Sequence, residues 1–296
     1  MIPLPGNPRF DQRWGICYLD RHKIYAVKNG VAAKDATGET ILPVDQINVL
    51  MLGPGTTITH KSIERICKKN ATVIWTGENG IIFYAVGTPC NNGKNILQQA
   101  KMYVDPISRV RVAVRMFEKR FGKVPSPDLT IQQLRGYEGQ RMQKAYVTIA
   151  ESMGVEWKGR SYQPNNWQFS NNVNKALTAA NACLYGLSYA AIVAFGLSPA
   201  IGFIHTGNSK SFVFDIADLF KTEISIPISF EAAKKEHPNI GGYIRHKIRD
   251  ITVSTNLLSR IIESIEFVLG FKLNEKSEFG YDSFDGLENK PIGEIK

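Results

Sequence analysis

Cysteine is scarce in this sequence: Cys17, Cys67, Cys90 and Cys183 are scattered, and no two stand in a CxxC spacing. Neither a zinc ribbon nor a disulfide framework is suggested, so a reducing cytoplasm is the expected compartment. No uninterrupted apolar run approaches the length of a membrane span, and the opening MIPLPGNPRF does not read as a signal peptide, so no membrane association is expected. There is no internal repeat and no low-complexity tract, which argues against a solenoid or a disordered linker protein. Acidic residues are in deficit, 27 against 36 basic ones, leaving a net charge of +9 that favours a polyanionic partner. What is present, 43% hydrophobic and 21% charged residues over a length of 296, suits a globular protein of one large or two modest domains.

The first third has the spacing of strands. After an extended arm with Pro3, Pro5 and Pro8 come ICYL at 16–19, KIYAV at 23–27, GVAAKD at 30–35, TILPV at 40–44, INVLML at 47–52, TVIWT at 72–76 and IIFYAV at 81–86. Turn signals such as Lys28-Asn29-Gly30 and Gly53-Pro54-Gly55 separate them and predict hairpins. One helix, capped by Thr59, interrupts the series, with Ile63, Ile66 and Cys67 facing inward. A small β-rich domain is expected over 1–86 and a Gly/Pro/Asn hinge over 87–95. A larger all-helical domain should follow over 96–270, with a mobile tail over 271–296, making the fold class α+β.

Beyond the hinge the period changes to that of helices. Asp105-Pro106 is a cap followed by an N1 proline, and the next run places Ile107, Val110, Val114, Phe117 and Phe121 on one predicted inward stripe. Arg111, Arg115 and Lys119 form a second stripe, readable as a phosphate track or as a merely solvated face. The following helix opens with a Thr130/Gln133 capping box, and its inward stripe runs Ile131, Leu134, Glu138, Met142, Ala145, Ile149. A glutamate in that stripe must be neutral, paired with Arg135 or Arg141, or bound to a metal. The run NNVNKALTAANACLYGLSYAAIVAFG is apolar on most faces and reads as the buried central helix. Two further helices are expected, from Pro227 through Lys235 and from Ser254 to about Leu269, and Gly241-Gly242 precede a basic run with Arg245, Lys247 and Arg249.

The segment IGFIHTGNSKSFVFDIADLFK, 201–221, sets His205, Asp215 and Asp218 among apolar residues, with Ser211 as the expected N-cap of a helix through Lys221. The two aspartates would share a face, either solvated or needing a cation or donors between them. Together with Glu138 this set is rich in oxygen ligands with a single imidazole, which suits Mg²⁺ or Mn²⁺ better than zinc. Metal-dependent phosphoryl transfer on nucleic acid is the physical reading. A non-catalytic basic DNA-binding scaffold and a metal-dependent hydrolase of small phosphoesters remain alternatives.

The strings QLRGYEGQR at 133–141, CLYG at 183–186, PAIGFIHTG at 199–207 and SFVFDIADLFK at 211–221 resemble the CRISPR-associated adaptation integrase family (Cas-one), specifically its type I-E branch. MLGPGTTITH at 51–60 and RMFEKRFG at 115–122 extend the resemblance over nearly the whole chain to about residue 270. It implies a β-rich N-terminal domain, a helical catalytic domain and a homodimer, two such dimers clasping a dimer of the small partner Cas-two. By the same resemblance Glu138, His205 and Asp218 are metal ligands and Asp215 supports the site. Tyr162, Trp167 and Tyr185 match aromatic positions lining it, with core packing as the other reading of these rings. The implied reaction joins the 3′-hydroxyl ends of captured double-stranded DNA into the repeat array, and nicking of branched DNA is the related hydrolysis. Lys221, Arg245 and Arg249 are the preferred phosphate contacts. Asn208 stands where a lysine can follow the HTG string, and the first hairpin tip reads Asp20-Arg21-His22.

Overall fold

The computed structural model of the chain describes residues 12–13, 15–77, 83–88, 93–122, 129–160 and 171–273. Its first part is strand-rich and its second helical, an α+β fold. Among the described residues eight strands lie in two sheets: β1 (Ile16–Leu19), β5 (Val49–Leu52), β7 (Thr72–Thr76) and β8 (Phe83–Gly87) in that order in one, and β4 (Glu39–Leu42), β3 (Gly30–Lys34), β2 (Lys23–Val27) and β6 (Thr57–Ile58) in the other. Strand β6, only two residues long, carries too little pattern to be read from sequence.

The expectation of hairpins holds for β2–β3–β4 and for β7–β8, which pair antiparallel. It fails for β1, β5 and β7, which run parallel with Cys17 beside Leu50 and Leu50 beside Val73. Parallel neighbours need a crossover, and the helix α1 (His60–Lys68) supplies one between β5 and β7. All four residues of β5 are buried, as a strand covered on both faces requires. Leu50 and Leu52 point into a core shared with Ile24, Val31 and Ile66. Val49 and Met51 point the other way, onto Ala190 of the central helix. The strand β5 is therefore the wall between the two halves of the chain.

Nine α-helices are described, the later ones being α2 (Lys94–Val104), α3 (Pro106–Phe121), α4 (Ile131–Met153), α5 (Asn172–Ala194), α6 (Ser211–Ala217), α7 (Ile226–Lys234), α8 (Ile240–Ser254) and α9 (Leu257–Leu269). A π-helical turn, Lys221–Ser225, joins α6 to α7. Helix α5 is buried along nearly its whole length, and its Ala176, Ala179, Ala180 and Ala191 let the neighbouring helices approach closely. Gly196, at φ 64°, follows its end.

The inward face expected for α3 holds in its later turns, where Phe117 is buried and Val114 and Phe121 pack against the core, and fails in the first, where Ile107 and Val110 are exposed; Val112, Ala113 and Met116 are buried beside Phe117. Asp105 does cap the helix, its carboxylate accepting the Ser108 N–H at 3.0 Å, but α2 ends at this same residue and turns the first apolar side chains outward. Gly241 and Gly242, ahead of the basic run, lie in the first turn of α8, where Asn239 takes the cap by accepting the Gly242 N–H at 2.8 Å. Helix α9 starts at Leu257, not Ser254, because Thr255 and Asn256, the latter at φ 48°, break the chain between it and α8.

Candidate active site

The site is assembled where α3, α4 and the loop-plus-helix unit 199–221 meet. The loop is tied down from behind by α2, whose buried polar residues gave no sequence signal of their role. Gln99 donates to the carbonyls of Ser198 (3.1 Å) and Ile201 (3.0 Å) and accepts the Ser198 N–H at 2.8 Å. Asn95 donates to the Phe195 carbonyl at 2.7 Å. The loop then folds back on its own helix, and Gly202 sits so close that a Cβ there would lie 2.7 Å from the Ser211 backbone carbonyl carbon. Only a residue without a side chain permits that approach.

Ser211 is not the expected N-cap but the first residue of α6, with Lys210 at the cap position. Its hydroxyl instead ties the turn, donating to the Asn208 carbonyl at 2.8 Å and accepting the Asn208 N–H at 3.1 Å. The helix also stops at Ala217, short of Lys221.

Asp215 is fully buried and organises the loop. Its Oδ2 accepts the N–H groups of Phe203 (2.6 Å) and Ile204 (3.2 Å), and its Oδ1 accepts the His205 N–H at 2.9 Å. The same Oδ1 stands 2.8 Å from His205 Nδ1. An ionised carboxylate only accepts, so Nδ1 carries a proton, and in the neutral imidazole Nε2 keeps its lone pair. The imidazole is 35% exposed, and Nε2 lies 3.9 Å from Asp218 Oδ2.

Glu138 reaches the same place from α4, its side chain only 16% exposed, and Asp218 from the end of α6, 13% exposed. Their partner is neither Arg135 nor Arg141 but Arg120 of α3, whose guanidinium contacts the Glu138 carboxylate and stands 3.4 Å from Asp218 Oδ2. The signal for Arg120 lay in its spacing: it follows Ala113, Met116 and Phe117 at helical intervals and so belongs to the buried face of α3. Arg141 lies over the Phe121 ring instead.

Lys221 closes the group, its ammonium 2.5 Å from Asp218 Oδ1 and 5.2 Å above the Tyr185 ring. Burial alone would raise the Asp218 pKa, but Lys221 and Arg120 outweigh it and hold the carboxyl below its ordinary range. Burial likewise opposes the charge on Lys221, yet Asp218 and Tyr185 leave its pKa above the usual lysine value. Arg120 goes the other way: desolvation lowers its pKa despite Asp218 and Asp215. Its Nε and Nη2 make no hydrogen bond among the described residues.

Of the aromatic residues, Tyr185 is at the site, edge-on to Phe214 at 5.0 Å, and Phe214 is edge-on to His205 at 5.9 Å. Tyr162 and Trp167 lie outside the described residues. The basic stripe of α3 is divided. Arg111 is exposed, Arg115 donates toward the Val268 carbonyl at 3.4 Å, and Lys119 lies over the Phe267 ring at 5.7 Å. Arg245 stacks on the Tyr18 ring at 4.0 Å, and Arg249 pairs with Asp250 at 2.8 Å. The structure thus brings Glu138, His205, Asp215, Asp218, Lys221 and Tyr185 together with Arg120, and sets the other cations apart.

Residues 121–264 match the family described as CRISPR associated protein Cas1. The chain is 39% identical over 272 residues to the CRISPR-associated endonuclease Cas1 of Clostridium sp. (strain SY8519), an alignment covering 91% of this chain and 90% of that one. It superposes on the crystal structure of TtCas1 with a TM-score of 0.78 at 33% identity, covering 88% of this chain and 98% of the other. The crystal structure of a TtCas1-DNA complex gives 0.63 at 36% identity, covering 86% and 95%.

Proposed function

The chain belongs to the Cas1 family, and from that premise we propose that it is a metal-dependent DNA integrase and endonuclease of CRISPR adaptation, of the type I-E branch. The observation that carries the proposal is that Glu138 and Asp218 both face the Arg120 guanidinium while Nε2 of His205 stands 3.9 Å from Asp218 Oδ2, with Asp215 holding the imidazole from behind.

The two carboxylates are hard oxygen donors of the kind Mg²⁺ or Mn²⁺ prefers, and the single imidazole is a borderline donor beside them. Among the described residues no three such groups stand close enough to grip an ion as they lie, because the Arg120 guanidinium is interposed between Glu138 and Asp218. A cleft that accepts a guanidinium between two carboxylates is already suited to positive charge, so the residues fit the group in kind. Glu138, His205 and Asp218 would hold the ion. When bound, it polarises the phosphodiester and stabilises charge on the attacking and leaving oxygens.

The chain's own residues supply the rest. Asp215 fixes the tautomer and direction of His205. Lys221 keeps Asp218 ionised and in place. The phosphoryl transfer forms a P–O bond to the spacer 3′-oxygen, whose hydroxyl gives up its proton, and breaks one in the repeat strand, whose departing 3′-oxygen takes up a proton, with no net gain or loss. With water in place of the 3′-hydroxyl the same site nicks branched DNA. The working assembly in this proposal is a cytoplasmic homodimer, two copies of which hold one dimer of the Cas-two partner.

One observation favours the scaffold reading instead: Glu138 already has a counter-ion in Arg120. Strand-transfer and nicking assays with Mn²⁺ on the wild type and on His205→Ala decide. Loss of both activities in the variant with DNA binding retained is expected, and equal activity in both proteins would remove the catalytic assignment.

A further inference from the structure

The cations around the site fall into two kinds. Arg120 and Lys221 face the site carboxylates, and Arg249 faces its neighbour Asp250. Lys210 differs. It stands immediately ahead of α6, half-buried. No hydrogen bond or ion pair of its ammonium occurs among the described residues; what surrounds it is aromatic, with Phe83 of β8 at 5.0 Å and Phe214 of α6 at 6.0 Å. Phe214 is the ring that also touches His205 and Tyr185. Burial lowers the Lys210 pKa, and no carboxylate pulls it back.

A partly desolvated ammonium held between two ring faces is oriented without being neutralised. An entering anion gains from that: the side chain is already oriented and part of its hydration already lost, so less is given up on binding. The backbone around it is fixed as well, since Asn208 Oδ1 accepts the Lys210 N–H at 2.9 Å. Because Phe83 belongs to the strand-rich half and Phe214 to the helical half, the cation also marks the seam between them, and Phe214 links it to the His205 ring.

We propose that Lys210 is a DNA-phosphate contact of this protein, gripping the backbone beside the phosphodiester presented to His205, with Phe83 and Phe214 as its clamp. The inference rests on the DNA-processing role proposed above. It assigns the phosphate contact to a different residue of the loop from Asn208, which bears no charge and engages the turn through Ser211.

The test is the salt dependence of binding to a branched DNA duplex in EDTA, for the wild type, Lys210→Gln and Lys210→Arg, with melting temperatures measured alongside. Each duplex phosphate neutralised contributes about 0.9 to the slope of log K against log salt. The expected result is a slope lower by about that amount in Lys210→Gln and restored in Lys210→Arg. An unchanged slope in Lys210→Gln beside a steep wild-type slope overturns the contact while leaving the DNA-processing role intact, even if the variant melts earlier, since packing alone would do that. A flat wild-type slope overturns the role itself and the contact with it.

Discussion

Replacing Asp215 by asparagine keeps the side chain's shape and removes one acceptor and one charge. In the protein two carboxylate oxygens receive four donors: the N–H groups of Phe203 and Ile204 on Oδ2, and the N–H and Nδ1–H of His205 on Oδ1. Asparagine has one oxygen. If it faces Phe203 and Ile204, its NH₂ opposes the His205 N–H, which is left unpaired at about 1–3 kcal/mol, and the remaining bonds lose charge assistance worth roughly 1 kcal/mol each. Relief from burying a charge offsets part of this, leaving a net loss of about 2–4 kcal/mol. That corresponds to a melting temperature lower by roughly 3–6 °C in a chain of this size. The imidazole responds too: facing an NH₂ donor, Nδ1 becomes the acceptor and the proton moves to Nε2, closing the lone pair that faces Asp218. Calorimetry of Asp215→Asn, with the His205 tautomer read from ¹⁵N shifts, tests both parts. A variant that melts within about 1 °C of the wild type and keeps the Nδ1–H tautomer would refute the reasoning.

Three further outcomes follow from the same geometry. Arg120→Leu leaves the largely buried Glu138 carboxylate without its partner and Asp218 with Lys221 alone, a loss of about 3–5 kcal/mol, and Mn²⁺ should raise the melting temperature of the variant more than that of the wild type; an unchanged melting curve contradicts the pairing. Gly202→Ala forces its new methyl against the Ser211 backbone and should cost about 1–3 kcal/mol and abolish strand transfer, whereas full activity would show that the close approach is not needed. Burial pushes the Cys183 thiol up to about 12, with Arg245 opposing only weakly, so stability from this group is complete below the ordinary value of 9.0 and is lost as pH rises towards about 12. Native Cys183 should therefore resist alkylation at roughly pH 8 and react once the chain unfolds; labelling of the native protein, located by mass spectrometry, would count against this.

Much of the chain's organisation is local and could be read without coordinates. The cap and N1 proline of α3, the Thr130/Gln133 capping box of α4 and the unbroken small-residue pattern of α5 are each contained within one element. So is the oddity of Glu138 on an otherwise apolar stripe, because helical period alone selects that face. What escaped was non-local. Strand direction in β1, β5 and β7 depends on which strands meet, not on their own residues. The facing of α3 was set by α2 and α9 packing against it, which put Val112 and Met116 inside and Ile107 out.

The site divides along the same line. Its chemistry, two carboxylates and an imidazole in a basic chain, was legible in the residues, because ligand type follows from side-chain identity. Which charge answers which was not. Arg120 and Glu138 are 18 positions apart, and Gln99 reaches Ser198 across 99. Such pairings arise only when the helices pack and desolvated groups must take whatever partner the fold brings within reach.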